Sequence, residues 1–217
     1  MDTHNEITAI RTRRGSKRRE VDLDGAVWLT VPKPVLAGLG LSSGDIVDPD
    51  DVIARVAELE PSAARERSLR LLAYRDRSEA EMRSKLTDDG YSSSTVDQAV
   101  QWLLDTGLLD DERFAEQLAR SLIVGRRYGR TRSLRYLQRT GILDEIARQA
   151  LDAVAPEEHE RDRTLVLARS LYRTGDNVER LASRLVRRGY TPSDSLTCAR
   201  TVIADAGSAD GTPLEGC

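Results

Sequence analysis

The chain holds one Phe, two Trp and six Tyr in 217 residues, so Leu, Val and Ala must fill its core. Cysteine and histidine are as scarce: Cys198 and Cys217, His4 and His159. Two cysteines so placed make no disulfide framework, and with histidines far off in sequence they give no metal-ligand spacing. Cys198 reads as a buried thiol on a helix and Cys217 as a tail residue. No apolar run approaches membrane-spanning length and no N-terminal stretch has the pattern of a signal peptide, so a cytoplasmic protein with no membrane contact is expected. A phosphate-cradling loop, a paired-cysteine motif and a histidine near a Ser or Cys nucleophile are all lacking. Asp110-Asp111-Glu112 is a carboxylate cluster, but acidic residues there suit a helix N-terminus. No catalytic residue, metal site or cofactor is predicted. Lysine, finally, is almost absent, at three against 30 arginines.

What is present is charge and helix former. With 32% charged residues, 39% hydrophobic residues and a formal net charge of −3, the composition suits a helical protein with paired charges on its exposed faces. Net charge gives no general affinity for nucleic acid; a polyanion contact has to come from local stripes.

Residues 1–60 differ from the rest. Glu6–Arg13, Lys17–Leu23 and Ala26–Val31 are strand-like runs separated by Gly15-Ser16 and Asp24-Gly25, the latter a strong hairpin signal. A short helix follows from about Lys33 to Leu39, and Gly44-Asp45 turns the chain into Ile46 and Val47. The expectation is a small β-containing module. Arg11, Arg13, Arg14, Lys17, Arg18 and Arg19 crowd its first hairpin, either as a phosphate grip or as the charged edge that exposed sheets need. Asp50–Leu59 reads as a connecting helix, and Pro61 as a domain boundary.

Beyond Pro61 the chain is helical and repetitive. Gly90-Tyr91, Gly141-Ile142 and Gly189-Tyr190 lie 51 and 48 residues apart, each with a leucine four residues before the glycine: Leu86, Leu137 and Leu185. After each glycine a new apolar stripe begins: Val96, Ala99, Val100 and Leu103; then Ile146, Ala147, Ala150 and Leu151; then Leu196, Ala199, Val202 and Ile203. Ser78 with Glu81, and Asp176 with Glu179, offer capping boxes, and Pro192 a first helical position. The expected fold is mostly α: three tandem three-helix repeats over residues 61–109, 110–156 and 157–206, in an elongated curved array behind the β module. Residues 207–217 read as a disordered tail.

The stretch Gly107–Ile142 carries the functional signal. Phe114, Ala115, Leu118, Ala119, Leu122 and Ile123 form an apolar stripe, and Gly129 is expected to stop that helix by adopting a positive φ. From Arg126 to Arg139 run six arginines, 126, 127, 130, 132, 135 and 139, with no acidic residue. On the helix starting near Thr131, Arg132, Arg135 and Arg139 share a face while Leu134 and Leu137 turn to the core. Guanidinium groups grip phosphate or carboxylate in a two-pronged manner. These residues, with Tyr128 as a packing or base-stacking ring, are the candidate binding site, and Arg180, Arg184, Arg187 and Arg188 form a second basic stripe. The plain alternative pairs the arginines with the acidic run Glu157–Glu160. The binding reading predicts that reversing Arg132, Arg135 and Arg139 to Glu leaves melting unchanged.

Three segments, LAYRDRSEAEMRSKLTDDGY from Leu72, WLLDTGLLDDERFA from Trp102 and YGRTRSLRYLQRTGI from Tyr128, resemble the RecX family of regulatory proteins. The resemblance covers roughly residues 60–205, with Leu108 where the family often has an aromatic residue and a looser match in the third repeat. It implies tandem three-helix repeats and a non-enzymatic, monomeric protein. It also implies binding to the RecA recombinase and its filament on single-stranded DNA, with DNA itself a possible direct partner, restraining recombination and co-protease activity. The segment from Trp28 to Val47 also resembles the strand-helix-GD-strand pattern of AbrB-like DNA-binding proteins, which suggests a transcriptional regulator as the alternative.

Overall fold

A computed structural model describes residues 5–12 and 17–209. Of the sequence reading, His4, Arg13, Arg14, the Gly15-Ser16 separator and residues 210–217 of the expected tail, Cys217 among them, lie outside them. The chain divides into two compact units, residues 1–110 and 111–217.

In the first unit, β1 (Ile7–Thr12), β2 (Arg18–Leu23) and β3 (Ala26–Pro32) form an antiparallel sheet in the order β1-β2-β3. The turn between β2 and β3 places Asp24 and Gly25 at φ 50° and 85°, the paired left-handed geometry that two-residue hairpins require. Helix α1 (Lys33–Leu39) follows, and Ile46 bridges back to Glu6 beside β1.

Helix α2 (Pro49–Tyr74) contradicts the boundary expected at Pro61, because it runs unbroken through that proline. A proline inside a helix forfeits one backbone hydrogen bond and costs about 3 kcal/mol. Burial on both sides of it offsets that cost. Val52 before it and Ala64 and Leu71 after it belong to one continuous core with Val35, Leu39, Met82, Leu86 and Leu103. The β module and the first repeat therefore do not separate at residue 60.

The repeat is completed by α3 (Glu79–Asp89) and α4 (Ser93–Asp105). The expected cap at Ser78 is present, its Oγ accepting the Glu81 N–H at 3.1 Å. Glu60 is buried. Its carboxylate accepts from the Ser92 N–H at 2.9 Å, the Ser92 hydroxyl at 2.6 Å and the Thr95 hydroxyl at 2.7 Å, all at the N-terminus of α4. Glu60→Ala strands these donors, and urea denaturation of the variant is expected to show a loss of about 2–3 kcal/mol.

Three cations of the first hairpin are engaged within the chain. Arg11 pairs with Asp22 and Lys17 with Asp89, while Arg18 donates to the Thr87 and Asp88 carbonyls at 2.6 and 3.1 Å. Those carbonyls lie in the last turn of α3, where intrahelical donors run out, and the Thr87 oxygen is shared with the Gly90 N–H. The hairpin thus caps a helix 70 residues further along the chain.

The second unit holds two repeats. The first comprises α5 (Asp111–Arg120), α6 (Arg130–Arg139) and α7 (Asp144–Val154); the second comprises α8 (Glu160–Leu171), α9 (Val178–Arg187) and α10 (Pro192–Ala209). A π-helical turn, Ser121–Gly125, extends α5 and keeps Leu122 and Ile123 buried, so Arg126 and Arg127 fall beyond the helix. In the last helix Ala199, Val202 and Ile203 face the core as expected, joined by Ser195 and Cys198, whereas Leu196 is 39% exposed. Helix α10 also takes in residues 207–209 of the expected tail. Burial raises the Cys198 thiol, as expected of an inert core cysteine.

The three glycine steps are one motif used three times. Gly90, Gly141 and Gly189 have φ of 96°, 84° and 95°, and the next residue donates back to the repeat leucine: Tyr91 to Leu86, Ile142 to Leu137, Tyr190 to Leu185. With the second bond from each glycine N–H, this is the Schellman cap. The three leucines are fully buried.

Candidate functional site

The candidate residues meet where α6 packs on the C-terminal end of α9. Gly129, expected at positive φ, instead has φ −71° and ψ 164° and begins α6; the left-handed residue is Arg127, at φ 52°. What demands glycine at 129 is closeness. A Cβ there would lie 2.3 Å from the Gly189 carbonyl oxygen, and one on Gly189 would lie 2.7 Å from the Arg132 nitrogen. The Gly129 N–H donates to the Arg188 carbonyl at 2.9 Å.

Arginines lock this joint from both sides. Arg132 donates to the Arg187 carbonyl at 2.9 Å, and Arg188 donates to the Arg126 carbonyl at 3.0 Å. Arg130 pairs with Asp152, and its backbone N–H donates to buried Glu160, which also holds Arg163. Glu160 of the acidic run thus meets the basic segment through a backbone N–H, while the Arg130 guanidinium pairs elsewhere. Arg184 is fixed by Asp176 and by the Leu171 carbonyl. Four of the eleven candidates, Arg130, Arg132, Arg184 and Arg188, therefore hold the fold.

Asp176 does not cap α9, as the sequence suggested; Asn177 does, accepting the Arg180 N–H at 3.0 Å. Arg184 and the Arg173 N–H hold the Asp176 carboxyl below its usual range. A carboxylate depressed in this way contributes stability that is complete above its unfolded value, about 4, and is lost as pH falls through the folded one. Asp176→Asn is expected to flatten the acid limb, so urea midpoints at neutral and strongly acid pH should differ less than in the unmodified protein.

The other arginines are free to act outward. Among the described residues, the side chains of Arg126, Arg127, Arg135, Arg139, Arg180 and Arg187 have no hydrogen-bonding or ion-pair partner. Arg135, Arg139 and Arg187 line a groove of about 530 Å³ with Thr131, Tyr136 and Tyr190, and none of its eleven lining residues is acidic. A second hollow of about 410 Å³ shares Arg187 and adds Arg180. Of the second stripe, Arg187 alone reaches the first groove, and the second hollow, with Arg180 and Arg184, is also lined by Glu179. Tyr128 lies behind the first groove: the Arg132 guanidinium carbon sits 4.0 Å from its ring centre, and Tyr136 stacks at 5.9 Å with planes 23° apart. Tyr190 is buried, and its hydroxyl is pushed up to about 12 by that burial, so it stays protonated. The sequence reading missed Tyr136, although it lies four residues after Arg132 and hence on the same side of α6. Among the described residues no three His, Cys, Asp or Glu side chains could hold a metal ion, and no helix is long and apolar enough to cross a membrane.

Fold and groove define a helical-repeat protein with an arginine-lined face. Residues 64–103 match the family model of the first three-helix domain of RecX, and residues 110–151 match that of the second. The chain is 38% identical over 149 residues to the regulatory protein RecX of Mycobacterium sp. (strain KMS), covering 63% of this chain and 79% of that one. It is 34% identical over 167 residues to that of Mycolicibacterium smegmatis, covering 72% and 88%. The chain belongs to the RecX family, whose curated members are named regulatory proteins. Two crystal structures share the fold. One, of regulatory protein RecX, has TM-score 0.56 and 24% identity over 87% of this chain and 96% of that one. The other, RecX from Lactobacillus salivarius, has TM-score 0.59 and 20% identity over 67% and 97%.

Proposed function

We propose that this protein is a negative regulator of the RecA recombinase. It binds RecA and its filament on single-stranded DNA in the cytoplasm, as a monomer and without catalysis of its own, and restrains ATP hydrolysis, strand exchange and co-protease activity. Membership of the RecX family supports the regulatory role. The observation that carries the site is the groove between α6 and α9, where Arg135, Arg139 and Arg187 face outward with no acidic residue in the lining. Buried or paired arginines cannot bind a partner without breaking the fold; these can.

The test is RecA-dependent ATP hydrolysis on single-stranded DNA, with this protein titrated in after filaments have formed. Loss of turnover well below one molecule per RecA supports a block to filament growth, and loss at a fixed ratio supports occupancy along the filament. Unchanged hydrolysis at excess protein refutes the reading. The alternative, an AbrB-like duplex-binding regulator, is less well supported, because Arg11, Lys17 and Arg18 are engaged within the chain.

A further inference from the structure

We infer that Arg77, at the joint between α2 and α3, is the floor of a binding site for a single small oxyanion of the phosphate class. The site belongs to the first unit, whereas the groove belongs to the second, and the inference does not depend on the regulatory reading above.

Three observations carry it. The first is a buried charge without a counterpart. Among the described residues the buried charged side chains are Asp22, Glu60, Asp89, Glu160 and Arg77. The carboxylates all have a cation or a set of donors: Asp22 pairs with Arg11, Asp89 with Lys17 and Arg67, Glu160 with Arg163, and Glu60 accepts from Ser92 and Thr95. Arg77 has neither. It is 8% exposed, and its one hydrogen bond runs from Nε to the Leu71 carbonyl at 3.4 Å, beyond the usual range for such a bond. Its two terminal nitrogens have no partner among the described residues. Donors left so in a folded protein call for a water or an ion.

The second is the state of the neighbours. Glu81 is the acid whose charge favours Arg77, but Arg75 holds both of its oxygens, at 2.8 and 2.9 Å. Arg67 commits its Nε to Asp89 and has two terminal nitrogens to spare. Burial, and then the charges of Arg75 and Arg67, hold the Arg77 guanidinium below its ordinary value. A guanidinium stays protonated all the same, so the cluster keeps its positive charge. Water satisfies the donors but leaves that charge in place; an anion answers both.

The third is access. The terminal nitrogens of Arg77 are not sealed from solvent, since the wholly enclosed orphan atoms among the described residues belong to Asp22, Arg163 and Ser195. A small ion can therefore reach the fork, while a residue so little exposed offers no surface on which a nucleic-acid strand or a folded partner could lie. The fork presents parallel N–H donors that match two oxygens of one phosphate. With the charge of Arg67 close by, a phosphate dianion balances two cations where a carboxylate balances one.

The experiment uses the full chain carrying Arg135→Gln, Arg139→Gln and Arg187→Gln, which removes the outward cations of the groove as competing anion sites. Equilibrium dialysis against radiolabelled inorganic phosphate, in sodium chloride at about 0.15 M, is expected to show saturable uptake of about one ion per chain. The melting temperature should rise by about 3 °C at about tenfold excess over the dissociation constant. Adding Arg77→Gln should abolish both effects. Arg77→Lys keeps the charge and loses the fork, so it should weaken uptake at least about fivefold with helical content unchanged, and it decides the matter even where the Gln variant does not fold. Displacement of the label by adenosine monophosphate identifies a phosphate monoester as a ligand, and displacement by inorganic phosphate alone identifies the free ion; either supports the site. Uptake that is absent, that Arg77→Lys leaves unchanged, or that oligothymidylate displaces as effectively as phosphate overturns the inference. An Arg77 that only completes the end of α2 through Leu71 gives the first of these results. RecA plays no part in the readout, so failure here leaves the regulatory reading untouched.

Discussion

Reversing Arg135, Arg139 and Arg187 to Glu together is expected to abolish inhibition of RecA-driven ATP hydrolysis, raising the concentration needed by on the order of a hundredfold, without lowering the melting temperature. The magnitude follows from exchanging three attractive contacts for three repulsive ones at one surface. The unchanged melting follows from their surroundings, since none of the three side chains has a partner to lose among the described residues. A companion variant sharpens the result. Arg188→Glu reverses a charge outside the groove lining and removes the guanidinium bond to the Arg126 carbonyl. It should melt lower and lose inhibition only in proportion to unfolding. The triple reversal suggested by sequence, at Arg132, Arg135 and Arg139, mixes these two classes and would not leave melting unchanged. Calorimetry and turnover measured on the same preparations separate them, and equal melting losses in both variants would refute the division of labour.

The second large effect is expected at Gly129. Its missing Cβ would stand 2.3 Å from the Gly189 carbonyl oxygen and 2.5 Å from the Tyr190 nitrogen. These are backbone atoms, and no rotamer change can move them aside. Gly129→Ala is expected to cost about 3 kcal/mol, the upper range for overpacking, seen as a fall of roughly 10 °C in the melting temperature. Gly125→Ala is the control. Nothing lies within 4 Å of a Cβ there, and its φ is not in the left-handed range, so it should melt no lower. An unperturbed Gly129→Ala protein would mean that α6 and α9 do not meet this closely.

What was legible in the sequence was local. The three glycine steps and their leucines are set by bonds between residues three and five apart, and so they announced the repeat. The hairpin at Asp24-Gly25 and the cap at Ser78 are equally short-ranged. The errors arose where distant parts of the chain decide. Pro61 looked like a boundary because its neighbours alone would break a helix, and a core assembled from residues 31 to 109 overrides it. Gly129 looked like a helix stop because its true constraint, Gly189, is 60 residues away. The arginines looked alike in composition. Only the placement of α9 beside α6 distinguishes those that bind carbonyls within the unit from those that face the groove, and it is also what brings Tyr136 into the site.

Arg18 has a consequence for how the chain folds. A string of helical repeats can zip up piecemeal, each unit helped only by its neighbours. Here the end of α3 is completed by a hairpin that left the ribosome long before it, through the Thr87 and Asp88 carbonyls. A contact of that sequence separation closes a long loop, and such closures slow folding more than local helix formation does. The first unit should therefore gain and lose its structure as a whole, with the hairpin and the repeat melting in one transition.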